Sequence, residues 1–304
     1  MKPPPCSDGG ELLVICSPSG SNRGVKFAIC NEIFQGWSLE KTFGYVAQAG
    51  YDAVEIAPFT IASRVTDISS EQRRHIREAA RQARIGISGI HWVLMQTEGL
   101  HLTHPDETVR RRTGLYFSEL VKFCADIGGE FIIVGSPKQR NLMEGVTFDQ
   151  GIHWAGSVFE DPVKLAEDRG VTICFEPLAP SETNFINTAA QAVEFAQRLS
   201  SPNFKILLDV KAMCSEAKSI PQIIRESSPY FAYFHANDRN LKGPGFGDVD
   251  FYPIADALEQ AGYGGYVSVE VFVFDEGPEV IASRSLEHLK RCFNAAKVSR
   301  PPTA

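Results

Sequence analysis

From Val25 onward, short apolar runs alternate with longer stretches in which apolar residues recur every three or four positions. The short runs are KFAIC (26–30), AVEIA (53–57), ISGIHWV (87–93), FIIVG (131–135), VTICFEP (171–177), KILLDV (205–210), FAYFHA (231–236) and YVSVEVF (266–272). Most are continuously apolar, which is the pattern of parallel strands covered on both faces. The longer stretches read as amphipathic helices. SLEKTFGYVAQAG opens on Ser38 as an N-cap and stops at Gly50, while SSEQRRHIREAARQARIG carries a basic face and stops at Gly86. DETVRRRTGLYFSELVKFCADIGG, TAAQAVEFAQRLSS, IPQIIRESS, YPIADALEQAGYGG and VIASRSLEHLKRCFNAA continue the series. The remaining helix is expected within 156–170, after a long loop over 136–155.

Eight strands, each followed by a helix, make an α/β chain with the count of a (β/α)8 TIM barrel, a single domain over 23–296. Residues 1–22, rich in Pro, Ser and Gly, read as a loose N-terminal extension, and 297–304 as a C-terminal tail. A doubly wound open sheet would carry a glycine-rich phosphate turn after its first strand, and none follows KFAIC. The 43% hydrophobic content supports a large core. Thirty basic against 37 acidic residues give a net charge of −7, which argues against a nucleic-acid groove. The seven cysteines form no CxxC pair and several sit in apolar runs, so they read as reduced thiols. No apolar run approaches the roughly 18 residues of a membrane span. Asp8 and Glu11 precede the apolar core of any secretory signal, so a cytoplasmic location is expected.

The chemistry shows in the polar residues that interrupt the strands. Glu55, His91, Glu176, Asp209, His235 and Glu270 each stand at or near the end of an apolar run. In a barrel those ends form the active-site face, and a carboxylate there is costly to bury unless something compensates its charge. A helix cap or a surface ion pair accounts for any one of them; a shared divalent cation accounts for the set. Glu176, Asp209, His235 and Glu270, from the last four strands, form an oxygen-rich ligand set with one imidazole. Such a set suits Mn2+, Mg2+ or Co2+ better than a thiolate-dominated zinc site, and one divalent ion, Mn2+ first among the three, is the expected cofactor.

Glu176 in CFEPL, Asp209 in LLDV, His235 in YFHAND and Glu270 in VSVEVF follow one another at 33, 26 and 35 residues. In order, context and spacing this set resembles the metal ligands of the xylose-isomerase-like sugar isomerases and epimerases. The nearest likeness is to the D-tagatose and D-psicose (allulose) 3-epimerase group, over residues 25–295. EPLAPSETNFINT resembles the segment after that family's fifth strand and puts Glu182 at a substrate-contacting position, while GPGFGDVDF (243–251) resembles its glycine-rich loop. Two positions depart from the pattern. A substrate-binding histidine is replaced by Ala212, and a substrate-binding arginine by Leu241, with Lys211, Arg239 and Lys242 close by in sequence.

The resemblance implies removal of a proton next to a carbonyl through an enediolate, with Glu176 and Glu270 as the acid/base pair and one divalent metal as Lewis acid. A small sugar or keto sugar is the implied substrate. Glu182, His91, Trp92, Glu55, Lys211 and Arg239 are candidate substrate contacts, and Glu55 is equally open to pairing with a basic neighbour. Phe34 and Trp37 read as a lid over the sugar or a shield for the barrel top. His101 and His104 are expected at the surface, and His75 and His288 on helices outside the chemistry. The altered substrate shell leaves open a lyase or dehydratase acting on a keto sugar or inosose through the same metal site. A zinc DNA-repair endonuclease would need three metals and more histidines than the seven present. A dead barrel would have no need of four converging ligands. A homo-oligomer is left open.

Overall fold

The computed structural model describes residues 24–298. Eight parallel strands close into a barrel in sequential order. They are β1 (Lys26–Cys30), β2 (Ala53–Ile56), β3 (Gly86–Ile90), β4 (Phe131–Val134), β5 (Thr172–Phe175), β6 (Phe204–Asp209), β7 (Phe231–Ala236) and β8 (Tyr266–Val269). Pairing of Ala28 with Ser268 and of Ile29 with Val269 seals β8 to β1. Around them run α1 (Leu39–Ala49), α2 (Ser70–Ala83), α3 (Glu107–Ile127), α4 (Phe148–Arg169), α5 (Ala189–Leu199), the single turn α6 (Val210–Met213), α7 (Ile220–Ser227), α8 (Phe251–Gln260) and α9 (Pro278–Val298). The expected (β/α)8 barrel is therefore the observed architecture. The N-terminal extension, Cys6, Cys16 and most of the C-terminal tail lie outside the described residues.

Side chains alternate along each strand, so every second residue points into the lumen. The outward set, including Ile29, Val54, Ile56, Ile132, Val134, Ile173, Phe175, Ile206, Leu208, Phe234, Val267 and Val269, joins the apolar core beneath the helices. The inward set opens at the N-terminal end with a small apolar plug of Ala28, Ala53, Ile133, Cys174, Leu207, Tyr233 and Tyr266. One step up several of these strands the same face carries polar residues: Glu55 after Ala53, Glu176 after Cys174, Asp209 after Leu207, His235 after Tyr233. A buried carboxylate on a strand is thus a lumen residue, and the closed barrel forces those residues together.

The capping residues explain where the helices begin. Ser38 accepts from the Lys41 N–H, and Ser69 with Gln72 forms a capping box. Helix α4 begins at Phe148, well before the expected 156, and so absorbs the second half of the predicted loop. Thr147 and Gln150 make a capping box there. Its early glycine, Gly151, lets the helix pack closely there, since a Cβ would run into Leu142 and Phe185. Cys30, Cys124, Cys174, Cys214 and Cys292 are free thiols. Among the described residues no helix is long and apolar enough to cross a membrane.

Candidate metal centre

Glu176 follows β5, and its N–H donates to Val134 O across to β4 (3.1 Å). Asp209 ends β6 and caps α6, Oδ1 accepting from the Ala212 N–H (2.7 Å) and Oδ2 from Asn237 Nδ2 (2.5 Å). His235 lies opposite Asp209 in register on β7, and Glu270 follows β8, its N–H donating to Ala236 O (3.3 Å). One ligand atom from each of these four side chains falls within 4.8 Å of the other three. None of the four residues is more than 7% exposed.

The directions of these atoms matter as much as their spacing. His235 Nε2 faces both oxygens of Glu55 (3.1 and 3.2 Å), which turns Nδ1 toward Glu270. There Nδ1 stands 3.2 Å from Glu270 Oε2, yet neither atom has a hydrogen-bond partner. Two buried polar atoms that approach without bonding, beside two further carboxylates, are arranged around a shared centre. A divalent cation fits this donor set, and the Glu55–His235 contact is the carboxylate support that metal-bound histidines ordinarily have.

The electrostatics show what the cluster costs on its own. Burial, then Glu270 and Asp209, lift Glu176 to about 8. Burial and Glu270 lift Asp209 to about 6. Burial works against charge on Glu55 as well, but His235 and His91 overcome it and hold Glu55 near 2. Burial likewise opposes charge on Glu270, and His235 and His91 keep it well below the usual carboxylate range.

Above the ligands lies a cavity of about 330 Å3 whose wall includes Glu176, Glu270, Glu182, Lys211, His91, Trp92 and Phe272. The family model described as xylose isomerase-like TIM barrel matches residues 43–292. The chain belongs to this family. Among its xylose isomerase-like relatives, the D-psicose 3-epimerase of Ruminiclostridium cellulolyticum is 30% identical over 230 residues, 75% of this chain and 76% of that protein. The L-ribulose 3-epimerase of Mesorhizobium japonicum is 28% identical, covering 77% and 75%. The 3-dehydro-D-guloside 4-epimerase of Escherichia coli is 22% identical, covering 88% and 100%. Among solved structures, an L-ribulose 3-epimerase matches with a TM-score of 0.78 at 20% identity, over 92% of this chain and 100% of that one. A D-psicose 3-epimerase determined in the presence of D-fructose matches with 0.75 at 22% identity, over 90% and 99%. At these identities the solved structures establish the shared barrel.

Within this xylose isomerase-like barrel the predicted substrate contacts divide. Lys211 and Glu182 both reach the cavity wall and meet each other, Nζ to Oε1 at 2.8 Å, with Nζ lying 4.2 Å above the Phe272 ring. His91 and Trp92 line the cavity, but their ring nitrogens are committed to carboxylates rather than facing a substrate hydroxyl: His91 Nε2 lies 2.9 Å from Glu32 Oε2, and Trp92 Nε1 donates to Glu270 Oε1 (2.9 Å). Of the two roles open to Glu55, the structure gives the pairing one. It is wholly buried beneath His235 and also accepts from Tyr233 OH (2.9 Å). Arg239 is exposed and follows the turn at Asp238, where the Leu241 N–H donates to Asp238 O (2.9 Å). It does not line the cavity of about 330 Å3, but lines one with Cys214 and Asp238 and another with Glu182, Lys211 and Phe272.

Lys242, the other basic neighbour, pairs with Glu276 (2.5 Å). His101, expected at the surface, is buried, its Nδ1 accepting from the Thr103 N–H (3.2 Å). Phe34 is buried, and with Trp37 it lines a cavity on the far side of Trp92. Two buried residues escaped the sequence reading. Arg140 is fully buried and donates to three carbonyls, Glu176 O (2.6 Å), Ile186 O (3.0 Å) and Gly135 O (3.3 Å), while lying over the Phe175 ring. Glu32 is the other. Its only sequence signal is an acidic residue two positions past the end of a strand.

Proposed function

We propose that the protein is a divalent-metal-dependent sugar epimerase or isomerase. The observation that carries this reading is the convergence of Glu176, Asp209, His235 and Glu270 on one point beneath a cavity of about 330 Å3. That volume lies in the range of small-molecule sites. The similar relatives are named for epimerisation of sugars, which supports the same reaction class here.

Asp209 and His235 lie below the other two and serve to hold the ion, Mn2+ being the best match to the donor set. When bound, such an ion supplies Lewis acidity to substrate oxygens. Glu176 and Glu270 border both the ion site and the cavity. One takes the proton from the carbon beside the carbonyl and the other delivers one to the opposite face for epimerisation, or to the neighbouring carbon for isomerisation. Lys211, held by Glu182 and Phe272, offers a cationic donor to a substrate oxygen from the side. Lys211 takes the place of the polar groups missing at Ala212 and Leu241. The elimination reading gains nothing from these relatives, and no contact in the cavity favours it.

The test is to load the protein with Mn2+ and incubate it in D2O with free ketoses and with 3-keto glycosides. An epimerase or isomerase incorporates deuterium at the carbon next to the carbonyl and yields a stereoisomer or positional isomer, and chelation stops both. An eliminated fragment with no isomer formed would reverse the assignment.

A further inference from the structure

Glu32 sits just past β1 at 6% exposure, with Oε2 2.9 Å from His91 Nε2. The opposite nitrogen of the same ring, Nδ1, lies 3.3 Å from Glu270 Oε1. Both ring nitrogens therefore face carboxylate oxygens, and His91 bridges a buried carboxylate that touches no predicted ligand to one that is a ligand. Trp92 adds a second donor to the same oxygen, its indole N–H lying 2.9 Å from Glu270 Oε1.

Aiming two consecutive side chains at a single atom requires an unusual backbone, because neighbours on a strand point to opposite faces. Trp92 meets that requirement with φ +52, the left-handed region that a bulky residue rarely enters. Such a conformation costs about 1–3 kcal/mol and persists where the surroundings enforce it. Here Phe59 and Phe272 enforce it, with ring centroids 5.8 and 6.1 Å from that of Trp92. Glu270 Oε1 is thereby saturated, while Oε2 stays without a hydrogen bond, 3.2 Å from His235 Nδ1. Glu176 differs. Its backbone carbonyl is anchored by Arg140, whereas its carboxylate accepts no hydrogen bond among the described residues.

We propose that Glu32, His91 and Trp92 are positioning residues that clamp Glu270 by Oε1, so that it presents Oε2 alone to the cation. The fold thus makes the two glutamates unequal, Glu270 fixed and Glu176 free to follow a proton. This inference rests on the metal-site reading and adds to it which residues set the geometry of one ligand.

The test uses the full chain, with Mn2+ titrated by calorimetry and Co2+ binding followed by visible absorption, which reports ligand number and geometry without any substrate. Trp92→Phe keeps an aromatic ring but removes the donor. Glu32→Leu removes the acceptor for His91 Nε2, whereas Glu32→Gln keeps one. Trp92→Phe and Glu32→Leu are expected to weaken Mn2+ binding by about 10–100-fold and to alter the Co2+ spectrum, as loss of groups supporting a metal ligand does. Glu32→Gln is expected to remain near wild type in both. Wild-type affinity and spectrum in both Trp92→Phe and Glu32→Leu would overturn the clamp while leaving the metal centre intact. A wild-type protein that takes up neither ion overturns the metal reading itself, and the clamp with it. Should Glu32→Leu not fold, Trp92→Phe still decides.

Discussion

Glu176 and Glu270 occupy comparable places, each one residue past the end of its strand, β5 and β8, yet their surroundings differ in kind. Burial and two nearby carboxylates push Glu176 up to about 8, while His235 and His91 keep Glu270 ionised. Replacing either by glutamine preserves shape and removes the ability to carry a proton. Each of Glu176→Gln and Glu270→Gln is expected to lower turnover by at least about 10²–10⁴-fold, the usual worth of a positioned acid or base. Deuterium incorporation into recovered substrate checks this, and an exchange rate that survives either change removes that residue from proton transfer. Arg140 tests the support beneath them. Its guanidinium is wholly buried on three carbonyls, and burial drags it down to about 9. Arg140→Met would leave the Glu176 and Gly135 carbonyls unpaired at about 1–3 kcal/mol each, Ile186 O keeping the Leu178 N–H (3.3 Å), so a loss of about 2–6 kcal/mol is expected. The urea midpoint measures it; an unchanged midpoint means that water or a shifted side chain takes over.

Strand β4 enters the site through its end rather than through a ligand. Gly135 follows it, and a Cβ there would overlap Glu176 Oε2. Gly135→Ala is therefore expected to weaken Mn2+ binding strongly while shifting the urea midpoint little; equal affinity would show that Glu176 has room to retreat. Helix α4 gives the converse case. Thr147→Ala removes its capping box at a cost of about 1 kcal/mol, seen in the urea midpoint, with Mn2+ affinity unchanged. The strands were legible in the sequence because their outward positions are unbroken Ile, Val, Leu and Phe, and the four-residue cluster because carboxylates and an imidazole interrupted those runs at the same end. The start of α4 was hidden by Gly151 and Gly156, which weaken helical propensity, although Thr147 and Gln150 carried the capping signal. Arg140 and Glu32 were not legible for a different reason. Their partners are backbone carbonyls and a histidine 59 positions away, contacts that no local pattern encodes. Arg239 shares a cavity with Glu182 and Lys211 without lining the one above the cluster, a placement set by the turn after Asp238 that nearness in sequence does not encode.

Closing eight strands into one lumen gathers Glu55, Glu176, Asp209, Glu270, His91 and His235 where water is largely excluded, and their mutual charges then bear on the stability of the entire barrel. Glu176 and Asp209 have folded-state values near 8 and 6, above their ordinary ones of 4.5 and 3.8. Between each pair of values the folded protein holds a proton that the unfolded chain has released, so stability is full below the unfolded value and is lost as pH rises through the folded one. His91, where burial opposes charge but Glu32 and Glu55 prevail, is raised from 6.5 to about 10, and its contribution falls in the same direction over that span. The metal-free protein is thus expected to lose thermal stability progressively from about pH 5 to pH 9. A divalent cation held at the proposed centre would compete with the protons on Glu176 and Asp209 and would bind the folded state alone. Its stabilising increment must therefore grow as pH rises and protons leave the ligands. Melting temperatures measured with and without saturating Mn2+ at pH 5, 7 and 9 should diverge: a falling curve for the metal-free protein, a flatter one for the loaded protein, and protons released on binding in proportion to the gap. Parallel curves would mean that the four side chains do not share a cation, because ligands that bind metal without exchanging protons cannot be the raised carboxylates of this lumen.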